Sequence, residues 1–294
     1  MRHLRNNKNI SIKGSEQKKQ LEVIGYYHSY KGYRFIRDRR DLLSFNNFGD
    51  LYELVKFEYK LKELFYPVLM KIETGLKNIV IENTIAQAHN NYFDKIVNKC
   101  IDSNKKLSFS KMWYNSLENK SIKKQVDYFT SRNYDIPFWV VVDKLTFDKF
   151  IDMYQFLDSS LRQQISNNLN VNSDNDLYHH MILLKNLRNA VAHNNVIFDC
   201  RFYNSSPSNS SLSFVDRYLP YGYNANFDKR LVDYAVLCAF YLTNLGFKKK
   251  EIGDFIKDME NAYSSYFVDN NRVAVQFMSI NDINILNNAK HIQF

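Results

Sequence analysis

The stretch FEYKLKELFYPVLMKIETGLKNIV, residues 57–80, constrains the fold more than any other part of the chain. Leu61, Leu64, Phe65, Val68, Leu69, Ile72, Leu76, Ile79 and Val80 recur at steps of three and four, which lays one apolar stripe along several turns of a helix. The signal runs from Phe48 to Ala86, with Pro67 inside it, where a proline is expected to kink or split the helix. Composition agrees with a helical chain. Among 294 residues there are only 8 glycines and 4 prolines, and breakers this sparse favour long helices over a many-turned β fold.

The rest of the sequence extends this pattern. A short helix with Leu21, Ile24 and Tyr27 is expected to begin near Gln17, and another lies in SIKKQVDYFTSRN. Residues 89–118 read as a connector with short helical pieces. PFWVVVDKLTFDKFIDMYQFL is long and apolar enough for a buried helix, although its valine run also permits a strand. Ser173 or Asp174 should cap a helix carrying Leu177, Met181, Leu184, Leu187 and Val191, with Asn194–Asn195 as its stop. Residues 204–213, NSSPSNSSLS, form a low-complexity loop. A further helical region is expected over about 226–268, broken near Gly246, and RVAVQF near the C-terminus alternates weakly, as a short strand would. The expectation is a mainly α chain: a flexible basic arm over residues 1–15, then one helical domain over 16–294, with room for a small β hairpin.

The formal charge is +9, which fits a polyanion partner, nucleic acid first and a membrane surface second. Residues 1–40 carry most of the excess, including Arg34, Arg37, Arg39 and Arg40, so this segment is the natural phosphate contact. Cys100, Cys200 and Cys238 are widely spaced and include no CxxC, which argues for a reducing compartment and against a structural zinc site. The opening MRHLRNNKNISIKGSEQKK has no apolar core of a secretory signal, and no run of 18 apolar residues occurs. A cytoplasmic protein is expected, without membrane contact.

One spacing carries chemistry. In LLKNLRNAVAHNN, residues 183–195, Arg188 and His193 are separated by four residues. A histidine can exchange a proton near neutral pH, and an arginine can hold a phosphate through a bidentate fork and stabilise charge developing on it. Together they suit RNA cleavage by the 2′-hydroxyl, a reaction for which no metal or cofactor is required. On a regular helix, positions five apart lie about 140° from each other around the axis, so the two do not stack on one face. Asn189 and His193 do share a face. One copy therefore resembles half a site, which a two-fold homodimer would complete around one phosphate.

The same segment resembles the signature of the HEPN superfamily, in which an arginine, a following polar residue and a histidine near the end of a core helix form a ribonuclease site. Other blocks resemble the Abi-like abortive-infection proteins of the AbiD/AbiF type: LEVIGYYHSYKGYRFIRD, FEYKLKELFYPVLMKIETGLKNIV and DIPFWVVVDKLTFDKFIDMYQFL occur in the expected order over about residues 20–200. The resemblance implies a HEPN-like helical bundle with its core at about 50–200 and helical additions at both ends. It assigns Arg188 to phosphate stabilisation, His193 to acid/base work, and Asn189 and Glu73 to support. Lys185, Asn194, Arg34, Arg37, Arg39 and Arg40 are the expected RNA contacts. Asn194 departs from the pattern, since many relatives carry a second histidine there. The implied activity is a metal-independent endoribonuclease that leaves 2′,3′-cyclic phosphate and 5′-hydroxyl ends. It would act as a toxin in phage defence, held by a protein antitoxin or a structured small noncoding RNA.

Several features are assigned no role. His179 and His180 are adjacent and point about 100° apart, a poor geometry for chelating one metal. Trp113 and Trp139 lie in apolar tracts and are expected in the core, and GFKKKEIGDF reads as a solvated helix start. The alternative from a different class is an RNA-binding helical protein that sequesters or senses RNA without cutting it. The two readings differ at Arg188 and His193, which only catalysis requires.

Overall fold

The computed structural model describes residues 10–26, 30–203 and 225–289. Most of the basic arm and the whole low-complexity loop at 204–213 therefore lie outside the described residues. Among the described residues there are 13 α-helices, and extended pairing is confined to isolated bridges. The protein is mainly α. No described helix is long and apolar enough to cross a membrane.

The chain divides into two compact units, residues 1–69 with 186–294, and residues 70–185. Helices α1 (Gly14–Ile24) and α2 (Phe48–Ala88) come first. The start of α2 is fixed locally. The Asp50 amide donates to Asn47 Oδ1 at 3.3 Å, while Asp50 Oδ2 accepts the Asn46 amide at 2.7 Å. Gly49 belongs to this cap, because a Cβ there would lie 2.7 Å from Asn47 Oδ1. Of the kink or split expected at Pro67, the split does not occur, and α2 runs unbroken for 41 residues. Pro67 lies on the exposed face, as does Glu63, whose carbonyl the proline leaves without its helical donor, so water can satisfy it. The stripe itself is buried at Leu61, Phe65, Val68, Leu69, Ile72, Leu76 and Val80.

In the unit of residues 70–185, short helices follow: α3 (Phe93–Cys100), α4 (Lys106–Leu117), α5 (Lys123–Thr130), α6 (Phe138–Lys144), α7 (Phe147–Phe156) and α8 (Ser159–Asn168). The single long helix expected after Pro137 is two. Leu145 and Thr146 are extended, Thr146 Oγ1 accepts the Lys149 amide to cap α7, and the Leu145 carbonyl turns aside to accept Lys77 Nζ at 2.6 Å. An aromatic cluster of Phe93, Phe109, Trp113 and Phe138 fills this unit, with Trp113 and Phe138 stacked at 6.1 Å. Trp113 is core as expected, whereas Trp139 is 45% exposed on the outer side of α6. Helix α9 (Asp174–Ala192) begins at the expected cap, with the Asp176 amide donating to Ser173 Oγ at 3.1 Å.

In the other unit, α10 (Leu231–Asn244) is buried on every side from Leu231 to Leu242, so it is the central helix there. Gly246, at φ 80°, ends it, and the Phe247 amide returns to the Leu242 carbonyl. Helix α11 (Lys249–Asp269) and helix α13 (Ile280–Ala289) pack against α10 and each other. Phe57 of α2 stacks on Tyr266 of α11 at 4.5 Å and meets Tyr263 edge-on. The RVAVQF segment is not a strand. It forms the short helix α12 (Asn271–Ala274) and the turns after it, burying Val273 and Ala274. Replacing the fully buried Leu237 by alanine should lower the unfolding free energy by about 2–5 kcal/mol. Urea titration should show a lower midpoint at an unchanged slope.

Candidate functional site

Arg188 lies inside the last turns of α9 and is half-buried, while His193 is exposed just beyond the helix end. The His193 amide still donates to the Asn189 carbonyl at 3.0 Å, so the backbone keeps the helical hydrogen-bond register up to His193. Asn189 touches both residues: its carbonyl takes the His193 amide, and its Oδ1 accepts Arg188 Nη1 at 3.1 Å.

The helix stop is a complete C-terminal motif. Asn194 is left-handed at φ 54°, its amide donates to the Val191 carbonyl, and the Asn195 amide donates to the Ala190 carbonyl at 2.8 Å. Asparagine tolerates this backbone region better than most residues, which accounts for its choice here. Its side chain is also engaged, with Oδ1 accepting Lys62 Nζ at 2.8 Å.

Lys62 belongs to a buried pair on α2. Its ammonium lies 3.1 Å from Glu58 Oε1, and Glu58 is fully buried. The two Glu58 oxygens also accept the amides of Ile197 and Phe198, at 2.7 and 3.0 Å. Burial pushes the Glu58 carboxyl above the usual range, and Lys62 and the two amides pull against that rise. Beyond Phe198, the buried Asp199 accepts the Arg37 amide at 2.6 Å and the Arg201 guanidinium at 2.8 Å. Arg201 in turn donates to the carbonyls of Gly32 and Phe35 and lies over the Phe35 ring at 4.2 Å. Residues 194–201 thus form a strap tied to α2 at one end and to the N-terminal block at the other.

The expected RNA contacts divide. Arg37, Arg39 and Arg40 are exposed on a tight turn closed by the Phe35–Leu42 bridge, and Arg37 is left-handed at φ 51°. Arg40 pairs with Asp38 in solvent, and Arg34 is half-buried. In the unit of residues 70–185, Lys185 pairs with Asp148 at 3.0 Å. Glu73 is buried there and pairs with Lys77 at 3.0 Å. His180 is fully buried on α9.

The family model of the Abi-like proteins matches residues 19–199, more than half of the chain. The chain belongs to the Abi-like protein family. Membership of a family named for abortive infection connects it with that form of defence. No curated protein and no solved structure matches it significantly. The matched span of this Abi-like protein runs from α1 to the strap and ends on Asp199, so it includes Arg188, His193 and the Glu58–Lys62 pair. Helices α10 to α13 lie beyond it.

Sequence reasoning missed Glu58, Lys62, Asp199 and Arg201. A signal was present for the first two. Leu54, Glu58, Leu61, Lys62 and Phe65 continue the three-and-four steps of α2, so two charges of opposite sign fall on its apolar face. Glu73 and Lys77 repeat this four-residue spacing further along the same face. Asp199 and Arg201 gave no such signal, because the groups they hold in the N-terminal block lie more than 160 positions away. Asp199→Ala should cost about 3 kcal/mol of stability by leaving the Arg201 charge uncompensated. In thermal unfolding Arg201→Lys should also fall below wild type, since an ammonium cannot span two carbonyls, a carboxylate and a ring at once.

Proposed function

We propose that this Abi-like protein is a metal-independent endoribonuclease of the HEPN type, within the AbiD/AbiF branch, and that it acts as a toxin in anti-phage abortive infection. The observation that carries this reading is the α9 terminus. A half-buried arginine and an exposed histidine are joined through Asn189, which accepts from the Arg188 guanidinium and from the His193 amide.

The chemistry follows from these groups. His193 accepts the proton of an RNA 2′-hydroxyl, and the 2′-oxygen bonds to the adjacent phosphorus. The bond from phosphorus to the 5′-oxygen breaks, and that oxygen takes a proton from an imidazolium, leaving a 2′,3′-cyclic phosphate and a 5′-hydroxyl. Arg188 stabilises the charge gathered on the phosphoryl oxygens. One imidazole cannot face both oxygens of an in-line displacement, so a second copy supplies the other histidine in a homodimer. The exposed arginines of the 37–40 turn serve the RNA backbone, and a structured small RNA is the favoured controlling partner.

The test is incubation of purified protein with end-labelled RNA in EDTA, comparing wild type with His193→Ala and Arg188→Ala. Wild type should cleave to cyclic-phosphate ends, and each variant should lose on the order of 100-fold or more in rate. Equal cleavage by all three proteins, or loss of the wild-type activity in EDTA, would contradict the proposal. RNA binding without any cleavage would favour a sequestering protein instead.

A further inference from the structure

We infer that Lys62, acting through Asn194, is a positioning residue for His193. The inference rests on the ribonuclease reading above and adds the part that holds its histidine in place. An exposed histidine one residue past a helix end would ordinarily fray with the last turn. Here the residue after it is fixed twice. The Asn194 backbone is locked left-handed by the Asn194 and Asn195 amides, which return to Val191 and Ala190. The Asn194 amide oxygen is held by an ammonium that is itself buried and paired, since Lys62 is 8% exposed and Glu58 is 0% exposed.

The direction of these bonds explains why a buried ion pair sits at this point of α2. Glu58 alone would satisfy the amides of Ile197 and Phe198 and hold the strap. Lys62 adds a donor that reaches past Glu58 to the side chain that follows His193. An apolar residue at position 62 would continue the stripe without reaching Asn194. The lysine places a fixed charge at the base of the turn that carries the imidazole, and the ring stays in solvent where a substrate can approach it. The orientation of a group that transfers a proton is worth large factors in rate, so the link is expected to act on turnover and not on affinity.

Asn194 can be cut out of this link without removing the helix stop. Asn194→Gly accepts the same left-handed backbone and loses only the side chain. Asn194→Asp keeps an acceptor for Lys62. A Glu58→Gln/Lys62→Met double variant cuts the link from the other side with no buried charge left behind. Rates and thermal midpoints of all three would be measured beside wild type on the same RNA. Asn194→Gly and the double variant should lose on the order of 10- to 100-fold in kcat at an unchanged KM. Asn194→Asp should restore the rate. Wild-type kcat in Asn194→Gly would overturn the inference and leave the ribonuclease reading intact. A rise in KM alone would overturn it in favour of a direct RNA contact by Asn194. A wild type that does not cleave overturns the ribonuclease reading, and the positioning role with it.

Discussion

The residues around the α9 terminus depend on one buried carboxylate. Glu58 sits on the apolar face of α2 with no access to water, a position that costs free energy unless both of its oxygens find donors. It finds three: the Lys62 ammonium and the amides of Ile197 and Phe198. Those two amides belong to the chain just after α9, so the requirement to satisfy Glu58 dictates where that chain must pass. From this point the strap continues to Asp199 and Arg201, which hold the N-terminal block through the Arg37 amide and the carbonyls of Gly32 and Phe35. The strap thus adjoins the exposed histidine at one end and ties down the exposed arginine turn at the other, held by the buried carboxylates of Glu58 and Asp199.

This arrangement separates what must be rigid from what must be open. Asn189, Asn194 and the returning amides of the helix stop have their partners within the protein. His193 presents its ring to solvent. In the proposed reaction the histidine has to meet a substrate and, in a dimer, a phosphate shared with a second copy, and a fixed backbone beneath an exposed side chain suits that task. The apolar α10 has a different part. Buried on all sides and flanked by α11 and α13, it completes the core against which Phe57 and Phe65 of α2 pack. Although the family match ends at Asp199, the segment after it supplies the aromatic surface that keeps this part of α2 in place.

Periodic burial was legible in the sequence, and compensation between distant segments was not. The stripe from Leu61 to Val80, the Ser173 cap of α9 and the Asn194–Asn195 stop all follow from local rules, and the structure places them as read. At Pro67 the split was not to be expected, because a proline's effect depends on which face it occupies, and on the exposed face the helix continues. The RVAVQF alternation misled because six residues cannot distinguish a strand from one helical turn followed by turns. The break at Leu145 needed knowledge of Lys77, which takes its carbonyl from 68 positions away. Arg188, His193 and Asn189 were legible as a motif, but the strap that holds them was not. Its partners, Glu58 and Arg201, acquire their meaning only when the chain has folded.

Glu58 holds the strap after α9 firmly and does not merely touch it. Native-state hydrogen exchange at the Ile197 and Phe198 amides tests this most directly. With the strap held in this way, both amides exchange only through unfolding of the unit that contains them, with protection matching the most stable amides of α10. Exchange through low-energy local opening, at the level of a frayed helix end, would contradict it.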